Sequence, residues 1–138
     1  MSQKSFLEPV MYLPLFESVS AGFPSPATDY LDKKLDLNEL CIKNPSATFF
    51  FRVAGDSMQG IGISDDDILI VDRSIKPKIR DIVIAVVEKE FLVKRFCKQG
   101  RFIVLVSENS NYTPIIIEEE TDFHVWGVVT KVIHNVKY

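Results

Sequence analysis

From residue 47 onward the apolar positions fall into short runs separated by compact polar breaks. The runs are Ala47–Val53, Asp67–Val71, Asp81–Val87, Glu90–Cys97, Arg101–Val106, Ile115–Ile117 and Phe123–His134. They are rich in β-branched and aromatic side chains, which pack well on a pleated surface. Between them lie Ser64-Asp65-Asp66, Glu88-Lys89, Gln99-Gly100 and Asn109-Ser110-Asn111, residue types that favour turns. The pattern predicts a mainly β, compact antiparallel fold. No internal repeat or low-complexity stretch interrupts it.

Upstream the pattern changes. Asp36 with Glu39 three positions on has the form of a capping box and predicts a short helical turn through Leu37, Leu40 and Cys41, stopped by Asn44-Pro45-Ser46. Tyr30, Leu31 and Leu35 predict another short helix, capped by Thr28 or Asp29. Residues 1–28 carry Pro9, Pro14, Pro24 and Pro26, each of which removes a backbone donor and pushes its predecessor out of the helical region. A helix-turn-helix, which needs two uninterrupted helices, does not fit there. Leu13, Leu15, Phe16, Val19 and Phe23 still ask for cover, so residues 1–28 are expected to form an extended arm that docks on a β domain of residues 29–138.

Length and composition narrow the function. A chain of 138 residues makes about one core plus an arm. Runs such as Ile82–Val87 are too short to span a bilayer, and the N-terminus lacks a basic region followed by an apolar signal core, so a soluble cytoplasmic protein without a membrane segment is expected. A net charge of −3 with scattered Lys and Arg offers no footprint for phosphate backbone, which argues against direct nucleic-acid binding. Cys41 and Cys97 lack metal or redox spacing and are expected to be free, buried thiols. His124 and His134 have no partners at ligand spacing, so neither a metal nor another cofactor is expected.

The candidate chemistry begins at Gly55-Asp56-Ser57-Met58. Gly55 and Gly60 allow backbone conformations closed to other residues and clear space around Ser57 Oγ, which suits a nucleophile in a strand-exit turn. A proton acceptor is then needed. Neither histidine has a recognisable triad context, although spacing alone leaves His124 open. Across Phe91–Phe96 a period of two puts Leu92, Lys94 and Phe96 on one face, leaving Lys94 the lone charge there, with Arg95 on the other face. Arginine stays protonated, whereas a lysine can lose its proton when desolvated. Burial is required, because at pH 7 only about one ordinary lysine in 2,500 is neutral. The third piece is Ala21-Gly22, an unhindered peptide bond between prolines that favour an extended strand. The same dipeptide at Ala54-Gly55 sits beside Ser57 in the body and is not free to swing into the site. Taken singly, these features also read as a turn serine, an edge lysine with its head in water, and a linker.

As an ordered set they resemble a known family. Phe23-Pro24-Ser25-Pro26-Ala27, Asn44-Pro45-Ser46-Ala47-Thr48, Gly55-Asp56-Ser57-Met58, Gly62-Ile63-Ser64-Asp65, Leu69-Ile70-Val71-Asp72, Asp81-Ile82-Val83-Ile84-Ala85 and Phe91-Leu92-Val93-Lys94 resemble the UmuD branch of the LexA/UmuD family of self-cleaving proteins, from about residue 13 to the C-terminus. The resemblance implies Ser57 as nucleophile, Lys94 as general base and Ala21-Gly22 as the scissile bond. It also implies a β-rich homodimer whose cleavage is stimulated by a RecA filament on single-stranded DNA. The trimmed form would join a UmuC-type catalytic subunit of an error-prone translesion DNA polymerase in the SOS response. Backbone amides of Asp56 and Ser57 are the expected oxyanion donors. The family's LexA-type repressors carry an N-terminal DNA-binding domain, and none is expected in a chain of this length. The competing reading is a non-catalytic dimeric adaptor for a polymerase. A signal-peptidase-like enzyme shares the Ser/Lys logic but needs a membrane anchor.

Overall fold

The computed structural model describes residues 10–16, 19, 21–22 and 31–137. The chain divides into two units, one ending at Lys43 and the other beginning at Asn44.

In the first unit, β1 (Leu13–Phe16) and β2 (Leu31–Leu35) form an antiparallel pair with Leu13 opposite Leu35 and Phe16 opposite Leu31. The expected helix around Tyr30, Leu31 and Leu35 is therefore a strand from Leu31 onward; Thr28 and Asp29, its supposed caps, lie outside the described residues. Pairing with β1 gives the backbone groups of this run partners across the ladder, which a lone helical turn leaves largely unpaired unless it is capped as the next segment is. Pro14 is tolerated because β1 is an edge strand. The predicted helical turn is α1 (Leu37–Cys41), capped by Asp36, whose Oδ1 accepts from the Asn38 N–H at 3.0 Å. Glu39 accepts instead from Tyr12 Oη at 2.9 Å.

The second unit is one antiparallel sheet. Its strands are β3 (Thr48–Arg52), β4 (Ile68–Asp72), β5 (Ile82–Val87), β6 (Glu90–Gln99), β7 (Phe102–Val106), β8 (Ile115–Ile117) and β9 (Phe123–Ile133), in spatial order β3-β4-β9-β5-β6-β7-β8. The hydrophobic runs locate all of these strands to within two residues at either end. The last strand in sequence inserts between β4 and β5, a long-range placement that no local pattern encodes.

One core was expected; instead two apolar clusters lie on opposite faces of the sheet. Ile84 belongs to a cluster with Val53, Met58, Ile63, Leu69 and Val71, while Val83 and Ala85 belong to another with Leu105 and Val128. Successive residues of a strand point to opposite faces, so β5, covered on both, is apolar at every position. Cys41 and Cys97 are both free, but half-buried rather than buried.

Candidate active site

The chain leaves β3 at Arg52 and turns through Gly55, whose φ of +94° requires glycine at little steric cost. Its N–H donates to Asp65 Oδ1 at 2.8 Å. Met58, 1% exposed, drives into the core and anchors the turn one residue after Ser57. Gly60 has a different reason to be glycine from the backbone freedom expected of it. Its N–H donates to the Glu108 carbonyl at 2.7 Å, and a Cβ there would stand 2.5 Å from that same oxygen. Ser57 itself is half-buried.

Lys94 is placed by the ladder of the sheet, with Val83 of β5 directly opposite. It is 8% exposed. Burial pushes its ammonium below the usual lysine range, because the charged form has lost much of its water. Its Nζ donates to Ser107 Oγ at 2.6 Å and lies 5.3 Å from the centre of the Tyr112 ring. Arg95 points elsewhere: its Nε pairs with Glu108 Oε2 at 2.7 Å.

Ser57 and Lys94 line the same cleft, a space of about 210 Å³. One side is walled by Phe51 and Phe91, their ring centres 5.4 Å apart, and Trp126 meets both edge-on. Val53, Ala54, Leu69, Ile84, Leu92 and Val93 complete the apolar lining. Residues 91–94 of β6 have β5 on one side and no ladder partner among the described residues on the other, since β7 pairs only from Arg95 onward. β3 is likewise an outer strand. The cleft thus offers an unpaired backbone edge on which an extended peptide can be added as a strand. No hydrogen bond joins Ser57 to Lys94; for proton transfer Nζ has to come within roughly 2.6–3.2 Å of Oγ.

The other sequence candidates fall as follows. Ala21 and Gly22 lie in the first unit, exposed and in a bend. His124 is exposed on β9 and lines no part of the Ser57 cleft. His134 Nδ1 pairs with buried Asp67 at 2.7 Å. Burial by itself would raise the Asp67 carboxyl, but the Ser64 N–H and His134 together outweigh it and hold it below the usual range. Among the described residues no group of three His, Cys, Asp or Glu side chains could hold a metal ion, and no helix is long and apolar enough to cross a membrane. Sequence reasoning missed Ser107, Asn109 and Tyr112, which gather around Asp56 and Lys94 from the segment after β7. The available signal was the density of polar residues between Val106 and Pro114, read only as a turn.

A family model described as Peptidase S24-like matches residues 14–130. The chain is 46% identical over 125 residues to protein SamA of Salmonella typhimurium, covering 90% of this chain and 86% of SamA. It is 45% identical over 126 residues to protein ImpA of Escherichia coli, covering 90% and 85%. The LexA repressor of Shewanella sediminis is 34% identical over 136 residues, which is 98% of this chain and 66% of the repressor. The chain belongs to the Peptidase S24-like family. Within that family it is UmuD-like, a member of the LexA/UmuD group of self-cleaving serine peptidases of SOS mutagenesis.

Proposed function

We propose that this protein is a single-use protease switch in which Ser57 and Lys94 cut the chain's own Ala21–Gly22 bond. The observation that carries the proposal is the pairing, in one partly apolar cleft, of a strand-exit serine with a buried lysine whose ammonium is held below the usual range by partial loss of its water. Neutral Lys94 Nζ takes the Ser57 proton as Oγ bonds to the Ala21 carbonyl carbon. The carbonyl π pair moves onto oxygen, which the Asp56 and Ser57 amides stabilise. Collapse breaks the bond to the Gly22 nitrogen, which leaves with the proton held by Lys94. Water, deprotonated by Lys94, then attacks the acyl-enzyme and releases residues 1–21. The free edge of β6 beside the cleft suits an extended arm segment, which the prolines around Ala21-Gly22 favour.

In this reading a RecA filament on single-stranded DNA stimulates the cut by favouring the docked arm or the neutral lysine, and can shift that population only by its differential affinity for the two states. The trimmed protein, as a homodimer, then serves as accessory subunit to a UmuC-type translesion polymerase. The test is intact mass after incubation of the pure chain with activated RecA filament, beside Ser57→Ala. Loss of residues 1–21 from the wild type alone is expected. A wild-type chain that stays whole leaves only the adaptor, and cutting of Ser57→Ala removes Ser57 from the mechanism.

A further inference from the structure

Asp56, the residue before the proposed nucleophile, is gripped at both its backbone and its side chain from one distant segment. Asn109 Nδ2 donates to the Asp56 carbonyl at 3.0 Å, and the Gln59 N–H donates to the same oxygen at 3.2 Å. Tyr112 Oη donates to Asp56 Oδ1 at 2.6 Å, and that carboxylate holds the Tyr112 phenol above its usual range. The gripping residues are themselves fixed. Asn109 Oδ1 accepts from the Asn111 N–H at 3.0 Å, and the Tyr112 N–H donates to the Asn109 carbonyl at 3.1 Å. Glu108, next in line, is tied to Gly60 through its carbonyl and to Arg95 through its carboxylate.

The consequence follows from the geometry of the peptide group. The group joining Asp56 to Ser57 is planar and trans, so its C=O and N–H point in opposite directions. Two donors on the Asp56 carbonyl therefore fix where the Ser57 N–H aims. No hydrogen bond among the described residues uses that N–H, which leaves it available to a developing negative charge. We infer that Asn109 is a positioning residue for the cleavage: holding the Asp56 carbonyl from behind, it directs the Ser57 N–H toward the oxyanion, with Tyr112 bracing the same residue through its carboxylate. The inference rests on the reading of Ser57 as nucleophile. Deleting a preorganised oxyanion donor costs roughly 10²–10³ in rate, so misdirecting one is expected to cost about tenfold to a hundredfold.

The test uses the full chain, with activator-free cleavage followed by intact mass across alkaline pH so that the plateau rate and the pH midpoint are read separately. The affinity of a peptidyl boronate ending in an alanine boronic acid, which forms a tetrahedral adduct on a serine Oγ, is measured alongside. Asn109→Asp is nearly isosteric and keeps the acceptor for the Asn111 N–H, but turns the donor facing Asp56 into an acceptor. Its plateau and its boronate affinity are both expected to fall about tenfold to a hundredfold. Asn109→Ala is expected to lose plateau and boronate affinity similarly with the midpoint unmoved, and Tyr112→Phe to show the same pattern with a smaller loss. Wild-type plateau and boronate affinity in the Asn109 variants, with Ser57→Ala inert, overturn the positioning role and leave the nucleophile standing. A shifted midpoint in Asn109→Ala with boronate affinity intact also overturns it, since the residue would then act through Lys94. Cutting of Ser57→Ala overturns the underlying reading instead. If the Asn109 variants do not fold, Tyr112→Phe decides: unchanged plateau and boronate affinity there refute the inference.

Discussion

Lys94 and Ser57 arrive at one cleft by opposite means. Lys94 sits within a long strand whose partners on β5 fix its backbone residue by residue, so its burial is a property of the sheet. Ser57 sits in an irregular turn between β3 and β4, held by one buried side chain, Met58, and by polar contacts from Asp65, Glu108, Asn109 and Tyr112. A ladder is cooperative, whereas a single neutral hydrogen bond contributes only about 0.5–1.5 kcal/mol. The base is thus built into the scaffold, while the alignment of the nucleophile depends on several small and separable contacts. Changes near Lys94 should act on protonation, and changes around Ser57 on alignment.

The largest expected effect comes from Lys94→Arg, which keeps the positive charge but removes any neutral state. Cleavage rate by intact mass should fall roughly 10²–10⁴-fold at every pH from 7 to 10, the span general-base assistance supplies; retained cutting would mean the base lies elsewhere. Met58→Ala empties a fully buried position and should cost about 2–5 kcal/mol in urea unfolding. A loss well under 1 kcal/mol would show that the turn is not anchored there. Gly60→Ala pushes a Cβ toward the Glu108 carbonyl; a loss of about 1–3 kcal/mol is expected, together with slower cleavage, since the turn has to shift. Normal stability and rate would disprove that close approach. The smallest is Ser107→Ala. The ammonium form of Lys94 loses an acceptor, so the pH midpoint of cleavage should move down, while the plateau falls several-fold as the amine loses its anchor. An upward midpoint would contradict the assigned contact.

The same contrast explains what could be read from the sequence. The strands, the α1 cap at Asp36 and the inward side of β6 that carries Lys94 were legible because period and capping are local properties. β2 was misread because an isolated Leu31–Leu35 carries no sign of its partner β1. The surroundings of Ser57 were only half legible: Gly55 announced its positive φ, but Gly60 answers to the Glu108 oxygen, and Ser107, Asn109 and Tyr112 reach the site across separations set by the topology of the sheet. Two core clusters were expected as one because alternation along β5 is hidden where both faces are apolar.

The most direct test of the central claim is the pH dependence of activator-free self-cleavage in the wild-type chain. A buried lysine with a lowered pKa is protonated and idle at low pH and becomes a base as pH rises through that value. The rate should therefore climb about tenfold per pH unit and level off below the ordinary lysine value near 10.4. A rate flat between about pH 7 and 10, or one that levels off only at the ordinary value, would contradict the account.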